Sequence, residues 1–244
     1  YAPDPASQKT CTIGGNIGEN AGGPHCLALG VTTNHVLGLE VVLADGSRTW
    51  LGGTQRESSG YDLRGAFVGS EGTLGIVTKI AVRLLPKPET IHSMLAAFTT
   101  MDAASNTVSE IIAAGMVPAA LEMMDRNTID AVEPFYHPGY PKEAQAVLIV
   151  EVDGLIESVE EQTETVLAIC NKNGAMEIRE ADDETTRAKL WETRKGAIGA
   201  YGTIAPTYYL VDGVVPRTKL REVLQQVDQI AAELEVTVAN VFHA

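Results

Sequence analysis

The apolar positions of this chain change texture near residue 88. Before it, residues 36–43 form a dense apolar run, "VLGLEVVL", which stops at an Asp-Gly pair and resumes over 47–51. That pattern predicts a β-hairpin closed by a tight turn. "GAFVG", 65–69, reads as a further short strand, and residues 74–85 as another. Residues 1–30 hold Pro3, Pro5, Pro24 and clustered glycines and read as loops. Pro86 and Pro88 mark a domain boundary, giving expected domains 1–88 and 89–244.

Beyond the prolines, strands alternate with helices. "IHSMLAAF" (91–98), "VPAALEMMD" (117–125), "AVLIVEV" (146–152), "AMEIRE" (175–180), "TYYLVD" (207–212) and "VTVANVF" (236–242) read as strands. Between them, Asp102 can cap a helix that ends at Gly115. A loop through Pro134, Pro138, Gly139 and Pro141 follows the second strand. Helices are expected over 156–173, with Val159, Val166, Leu167 and Cys170 on one face, and over 184–200. A last helix, 216–235, carries a stripe of Leu220, Val223, Leu224, Val227, Ile230, Ala231 and Leu234. This periodicity fits both a parallel sheet and a ferredoxin-like antiparallel one.

Composition narrows the function classes. A chain of 244 residues buries about 70–75% of its unfolded surface and needs no covalent staple. With 32 acidic against 18 basic side chains, the net charge is −14. That argues against a nucleic-acid partner and against an anionic membrane surface. Cys11, Cys26 and Cys170 lie far apart without a CxxC, so neither a zinc ribbon nor an iron–sulfur ligand set is present. The cysteine usage fits a reducing, cytoplasmic setting. No apolar run approaches the length of a transmembrane helix. The chain opens on Tyr1 and closes on "NVFHA", and both ends look cut from something longer.

The stretch "TIGGNIGENAGG", residues 12–23, is the densest glycine cluster. No buried strand precedes it, and its spacing is wrong for a Rossmann fingerprint. It lacks the Lys-Ser/Thr end of a P-loop. A backbone nest around a pyrophosphate and a tight surface loop both remain open. The second cluster, "GSEGTLGIVT" at 69–78, shifts the balance. Two glycine loops flanking one hairpin suggest two backbone surfaces facing a common extended ligand.

"TIGGNIGENAGGPHCLALGVTTNHVLGLEVVLADG" with "GYDLRGAFVGSEGTLGIVTKIAVRLLPKPE" resembles the flavin-binding part of FAD-linked oxidases of the vanillyl-alcohol-oxidase type. Within that family the likeness is to the glycolate oxidase flavoprotein and D-lactate dehydrogenase group. The resemblance implies an α+β chain: the second half of a PCMH-type FAD-binding domain, then a ferredoxin-like substrate or cap domain. It implies FAD contacts at Gly14, Gly15, Asn16, Asn20, Ala21 and Gly22, and backbone contacts at Gly72, Gly75, Ile76 and Val77. Glu71 is open between a ligand contact and a solvated loop carboxylate. The family's first pyrophosphate loop is expected upstream of Tyr1.

In "LWETRKGA", Trp191 and Arg194 stand three apart and share a helix face. Arg194 offers a planar fork for a carboxylate; a surface arginine paired with Glu192 is the plain alternative. The resemblance assigns Arg194 to the carboxylate of a 2-hydroxy acid and leaves Trp191 in the core. It matches His243 to a histidine that binds a divalent metal (zinc, manganese or iron) or the substrate hydroxyl, with a second histidine expected beyond Ala244. Leu210 stands where diacid-specific relatives carry lysine, which disfavours a 2-hydroxyglutarate-type substrate. His35 and Tyr61 read as ordinary loop residues. The implied reaction oxidises glycolate or D-lactate, with hydride passing to flavin N5. The implied partners are an iron–sulfur subunit and a second flavoprotein-like subunit, in the cytoplasm or peripheral to the inner membrane face. The rival reading is a non-catalytic scaffold that keeps the fold.

Overall fold

The structure, a computed structural model, describes residues 1–55, 60–181 and 183–243. The chain divides into two compact units, Tyr1–Lys87 and Pro88–Ala244.

The first unit holds α1 (Ile13–Glu19), α2 (Cys26–Leu29), β1 (Val36–Val42), β2 (Arg48–Gly52), α3 (Leu63–Phe67) and β3 (Ile76–Val82). Its antiparallel sheet has the order β2-β1-β3. β1 is central, which explains its apolar density: Val36, Leu39 and Val41 pack with Ile17 and Val68. The hairpin turns at Asp45–Gly46, where Gly46 has φ +80° and Asp45 Oδ1 accepts from the Ser47 amide.

Two expectations fail here. "GAFVG" belongs mostly to α3, because Asp62 accepts the Gly65 amide and caps the turn. The first glycine cluster starts as a helix, not a loop. Thr12 Oγ1 accepts from Gly15 N, and Asn20 ends α1 in the left-handed conformation. Each helical glycine costs roughly 1 kcal/mol. Full burial of Ile17 contributes about 1.5–3 kcal/mol, and caps at both ends add to it.

The second unit runs β4 (Thr90–Phe98), α4 (Met101–Ala113), β5 (Ala120–Asp125), α5 (Arg126–Tyr136), β6 (Ala146–Gly154), α6 (Ile156–Lys172), β7 (Glu177–Ala181), α7 (Glu184–Ala200), α8 (Leu220–Glu233) and β8 (Val241–His243). The strand order is β7-β4-β6-β5-β8, with every neighbouring pair antiparallel. β4–α4–β5–β6–α6–β7 is therefore a ferredoxin-like βαββαβ core, with β8 added beside β5. α4 and α6 pack on one face of the sheet. α5 and α7 cover the other through Ile129, Val132, Trp191 and Ala197 against Leu95, Ala120, Met124 and Ile149. Covering both faces explains why β5 and β6 read as near-continuous apolar runs.

The proline-rich loop after β5 is largely α5. Asp125 caps it by accepting the Thr128 amide, and Ile129 and Val132 are buried. Pro134 forgoes one helical hydrogen bond, and the helix ends at His137 in the left-handed conformation. The cap of α4 is Thr100, not Asp102. Residues 207–212 form no strand: Tyr209 is 92% exposed and Val211 76%. The β5 edge that could have taken it is filled by β8. Only Leu224 and Ala231 of the α8 stripe are buried. Of the expected strand 236–242, β8 includes only its last two residues.

Glycine substitutions test this packing. An added Cβ on Gly23 would lie 1.8 Å from the Asp4 carbonyl oxygen, whereas Gly18 meets no atom within 4 Å. Gly23→Ala is expected to destabilise by about 1–3 kcal/mol. Gly18→Ala is expected to be neutral or to stabilise by up to about 1 kcal/mol. Urea unfolding of the two variants checks both signs.

Candidate functional site

Two glutamates stand out on the α7-facing side of the second unit's sheet. Glu122 on β5 and Glu151 on β6 are 1% and 2% exposed, among apolar neighbours. β5 and β6 pair Ala120 with Glu151 and Glu122 with Ile149, so both carboxylates point to the same face. Ionised groups buried this way must find donors, and α7 supplies them.

Trp191 Nε1 donates to Glu151 Oε2 at 2.7 Å, and Ser93 Oγ donates to the same oxygen at 2.5 Å. One helical turn on, Arg194 Nη2 lies 2.6 Å from Glu122 Oε2. This contact is an ion pair without hydrogen-bond alignment: Glu122 Oε2 and Arg194 Nε are both buried with no hydrogen-bond partner among the described residues. Arg194 is 7% exposed. The surface pairing with Glu192 is replaced by a buried one with Glu122. Trp191 sits in the core, as expected.

Glu122 also meets His243. The two residues are direct cross-strand partners on β5 and β8, so their side chains share a face. His243 Nδ1 lies 2.6 Å from Glu122 Oε1, within hydrogen-bond distance. Asp125 fixes the strand beside it: its Oδ2 accepts from the backbone amide and the side chain of Asn240 at 2.7 and 2.8 Å. Burial pushes the Asp125 carboxyl above its usual range, against the hydrogen bonds it accepts. Arg194, Glu122 and His243 thus form one continuous polar row. Among the described residues, no group of three His, Cys, Asp or Glu side chains could hold a metal ion. His243 supplies one donor, and its Nδ1 is already committed.

Glu122 and Glu151 were missed in the sequence, although a signal was present. Each is a carboxylate set between apolar neighbours in mid-strand, "ALEMMD" and "LIVEVD", and such a group is almost never buried unpaired.

In the first unit, the two glycine clusters meet. The amides of Gly69 and Glu71 donate to Ile17 O and Gly18 O, at the end of α1, at 2.8 and 3.0 Å. Gly14 and Gly15 lie exposed in the first turn of α1, where helical N–H groups lack intrahelical acceptors. Asn16 is buried and part of α1. Asn20 caps that helix, and its Oδ1 accepts the Thr33 amide. Ala21 and Gly22 follow, half-buried. Glu71 (φ +53°), Gly72 (φ +77°) and Gly75 (φ +155°) give the second loop a run of left-handed or glycine-favouring backbone. Glu71, Gly72 and Ile76 are exposed, and Val77 and Gly75 are half-buried. A side chain on Gly72 would meet only the tip of Ile76, at 3.9 Å. These exposed glycine turns leave open backbone surface that fits close approach by an extended, anionic cofactor. His35 is fully buried, with Nε2 2.8 Å from Leu29 O, and Tyr61 is 93% exposed.

Residues 87–244 match the family model described as FAD linked oxidases, C-terminal domain, and residues 1–52 match an FAD binding domain. The chain is 46% identical over its whole length to the Glycolate oxidase subunit GlcD of Escherichia coli strain K12, covering 49% of that protein. It is 45% identical to the Bacillus subtilis protein of that name, covering 52% of it. It is 32% identical to the D-lactate dehydrogenase of Anaerostipes hadrus, covering 53%. The chain thus spans about half the length of the curated relatives it matches. A solved alkyldihydroxyacetonephosphate synthase shares the fold, with a TM-score of 0.74 at 18% identity, over 96% of this chain and 48% of that one.

The hydrogen bond from Trp191 to Glu151 can be removed while an aromatic ring, smaller than the indole, is kept. Trp191→Phe is expected to destabilise the protein by about 1–3 kcal/mol, the range for taking a partner from a buried acceptor. The urea midpoint reads it, and an unchanged midpoint would show that Glu151 does not hold α7.

Proposed function

The chain belongs to the FAD-linked oxidases, and on that premise we propose that it forms part of an enzyme oxidising a small 2-hydroxy acid, glycolate or D-lactate, to the 2-oxo acid. In this reading residues 1–88 are the C-terminal part of an FAD-binding domain and residues 89–244 the substrate domain. Gly14, Gly15, Asn16, Asn20, Ala21 and Gly22 hold the cofactor with Glu71, Gly72, Gly75, Ile76 and Val77. FAD, when bound, supplies the acceptor for the Cα hydride.

Arg194 takes the substrate carboxylate, and His243 takes the hydroxyl proton. The buried Arg194 carries the reading: its Nε has no hydrogen-bond partner among the described residues, and Glu122 ties it to a histidine. A planar guanidinium already neutralised on one side by Glu122 keeps other N–H groups for a second carboxylate. A substrate hydroxyl beside a histidine passes its proton to the imidazole as the Cα–H bond weakens, the usual arrangement for general-base assistance. His243 would be one donor for a divalent metal, and the described residues supply no set of three. Iron–sulfur and flavoprotein-like partner subunits would carry the electrons onward, a reading that leans on relatives named as oxidase subunits. No helix among the described residues is long and apolar enough to cross a membrane, which agrees with a cytoplasmic or membrane-peripheral enzyme.

Anaerobic mixing of the full-length protein with glycolate and with D-lactate tests the reading. At least one is expected to bleach the flavin. Arg194→Ala is expected to weaken the apparent substrate affinity about 10- to 100-fold, as for a lost charge-assisted contact. If no 2-hydroxy acid bleaches the wild-type flavin, the substrate assignment falls. Unchanged activity of the assembled complex carrying Arg194→Ala would favour a scaffold.

A further inference from the structure

Glu122 faces both side chains on which the proposed chemistry depends, yet it is buried behind them. An ionised carboxylate has two acceptor oxygens and no proton to give. With Glu122 Oε1 at 2.6 Å from His243 Nδ1, that nitrogen must carry the imidazole proton. Nε2 then holds the lone pair. The other oxygen, Oε2, lies against Arg194 Nη2. Little in this arrangement is left to side-chain choice. Cross-strand pairing sets Glu122 opposite His243, and the Asp125–Asn240 contacts hold the incoming strand.

We propose that Glu122 is a positioning residue that acts through both neighbours. It locks His243 in the tautomer whose Nε2 can accept the substrate hydroxyl proton. It also orients Arg194 so that its remaining donors face the substrate carboxylate. The inference rests on the 2-hydroxy-acid reading above. Glu122 itself contacts neither substrate nor cofactor in it. The same logic governs histidines whose second nitrogen is fixed by a carboxylate, as bases and as metal ligands.

Glutamine is the discriminating substitution, because an amide of the same size has one acceptor end and one donor end. Arg194 is permanently charged and claims the oxygen. The NH2 end then faces His243 Nδ1, which must accept, and the imidazole proton moves to Nε2. The full-length flavoprotein carrying Glu122→Gln should therefore retain substrate binding and lose rate. In anaerobic rapid mixing with the better of glycolate and D-lactate, the limiting rate of flavin reduction is expected to fall about 100-fold or more, the scale of general-base catalysis. The apparent dissociation constant is expected to change less than about 3-fold, on the view that the arginine contact survives. An unchanged limiting rate, in a protein whose wild type is reduced, overturns the positioning role and leaves the reaction assignment standing. A wild type reduced by no 2-hydroxy acid overturns the assignment, and this role with it.

A variant that fails to fold is covered by a measurement on the wild type. Full-length protein labelled with nitrogen-15 histidine, with His243 identified by comparison with His243→Gln, should show a proton-free Nε2 and a protonated Nδ1. A proton on Nε2 overturns the proposal whatever the variant does.

Discussion

A carboxylate buried on an apolar sheet face has to be met by a donor, and in the second unit this requirement decides where α7 lies. The sheet presents Glu151 and Glu122 one row apart. The helix answers with Trp191 and Arg194, three residues apart, which is the spacing that puts two side chains on one helix face. Helix rotation and height are both fixed by this double match, since sliding α7 by a residue would break the Trp191–Glu151 and Arg194–Glu122 contacts together. Removing one side of a buried ion pair costs about 3–5 kcal/mol, more than the difference between competing hydrophobic packings of similar volume. The arginine is therefore held by the fold before any ligand is considered.

The strand and helix rhythm after residue 88 was legible because buried strands and amphipathic helices write their periods directly into the apolar positions. Helix α7 was read with the same bounds the structure gives it. The failures have particular causes. α5 was hidden by its one proline and by Pro138 and Pro141 just beyond it, since Pro134 sits near the end of a helix whose start is secured by Asp125. Residues 207–212 have the composition of a strand, but pairing depends on a free neighbouring edge, which no local pattern encodes. Arg194 and His243 were singled out on family likeness. Their connection was not, because it runs through Glu122, a residue distant from both in the chain.

In the first unit the glycine cluster reads differently in three dimensions. Glycines that suggested an irregular loop are carried by a short capped helix whose far end accepts hydrogen bonds from the second glycine loop. The two clusters are structurally one object. Glu71 takes a left-handed conformation beside Gly72, a strain of about 1 kcal/mol for a residue with a Cβ. Such strain often gathers where backbone is shaped for a ligand.

The register of β8 has a consequence for the order in which the molecule is made. Side chains alternate across a strand, so moving β8 by one residue would send the imidazole to the opposite face of the sheet. What prevents the slip is a contact between Asn240 and Asp125, 115 residues apart in the chain. The four strands of the βαββαβ core and the helix bearing the arginine all emerge earlier in synthesis. A growing chain can therefore close this core before the imidazole that meets Glu122 has been made.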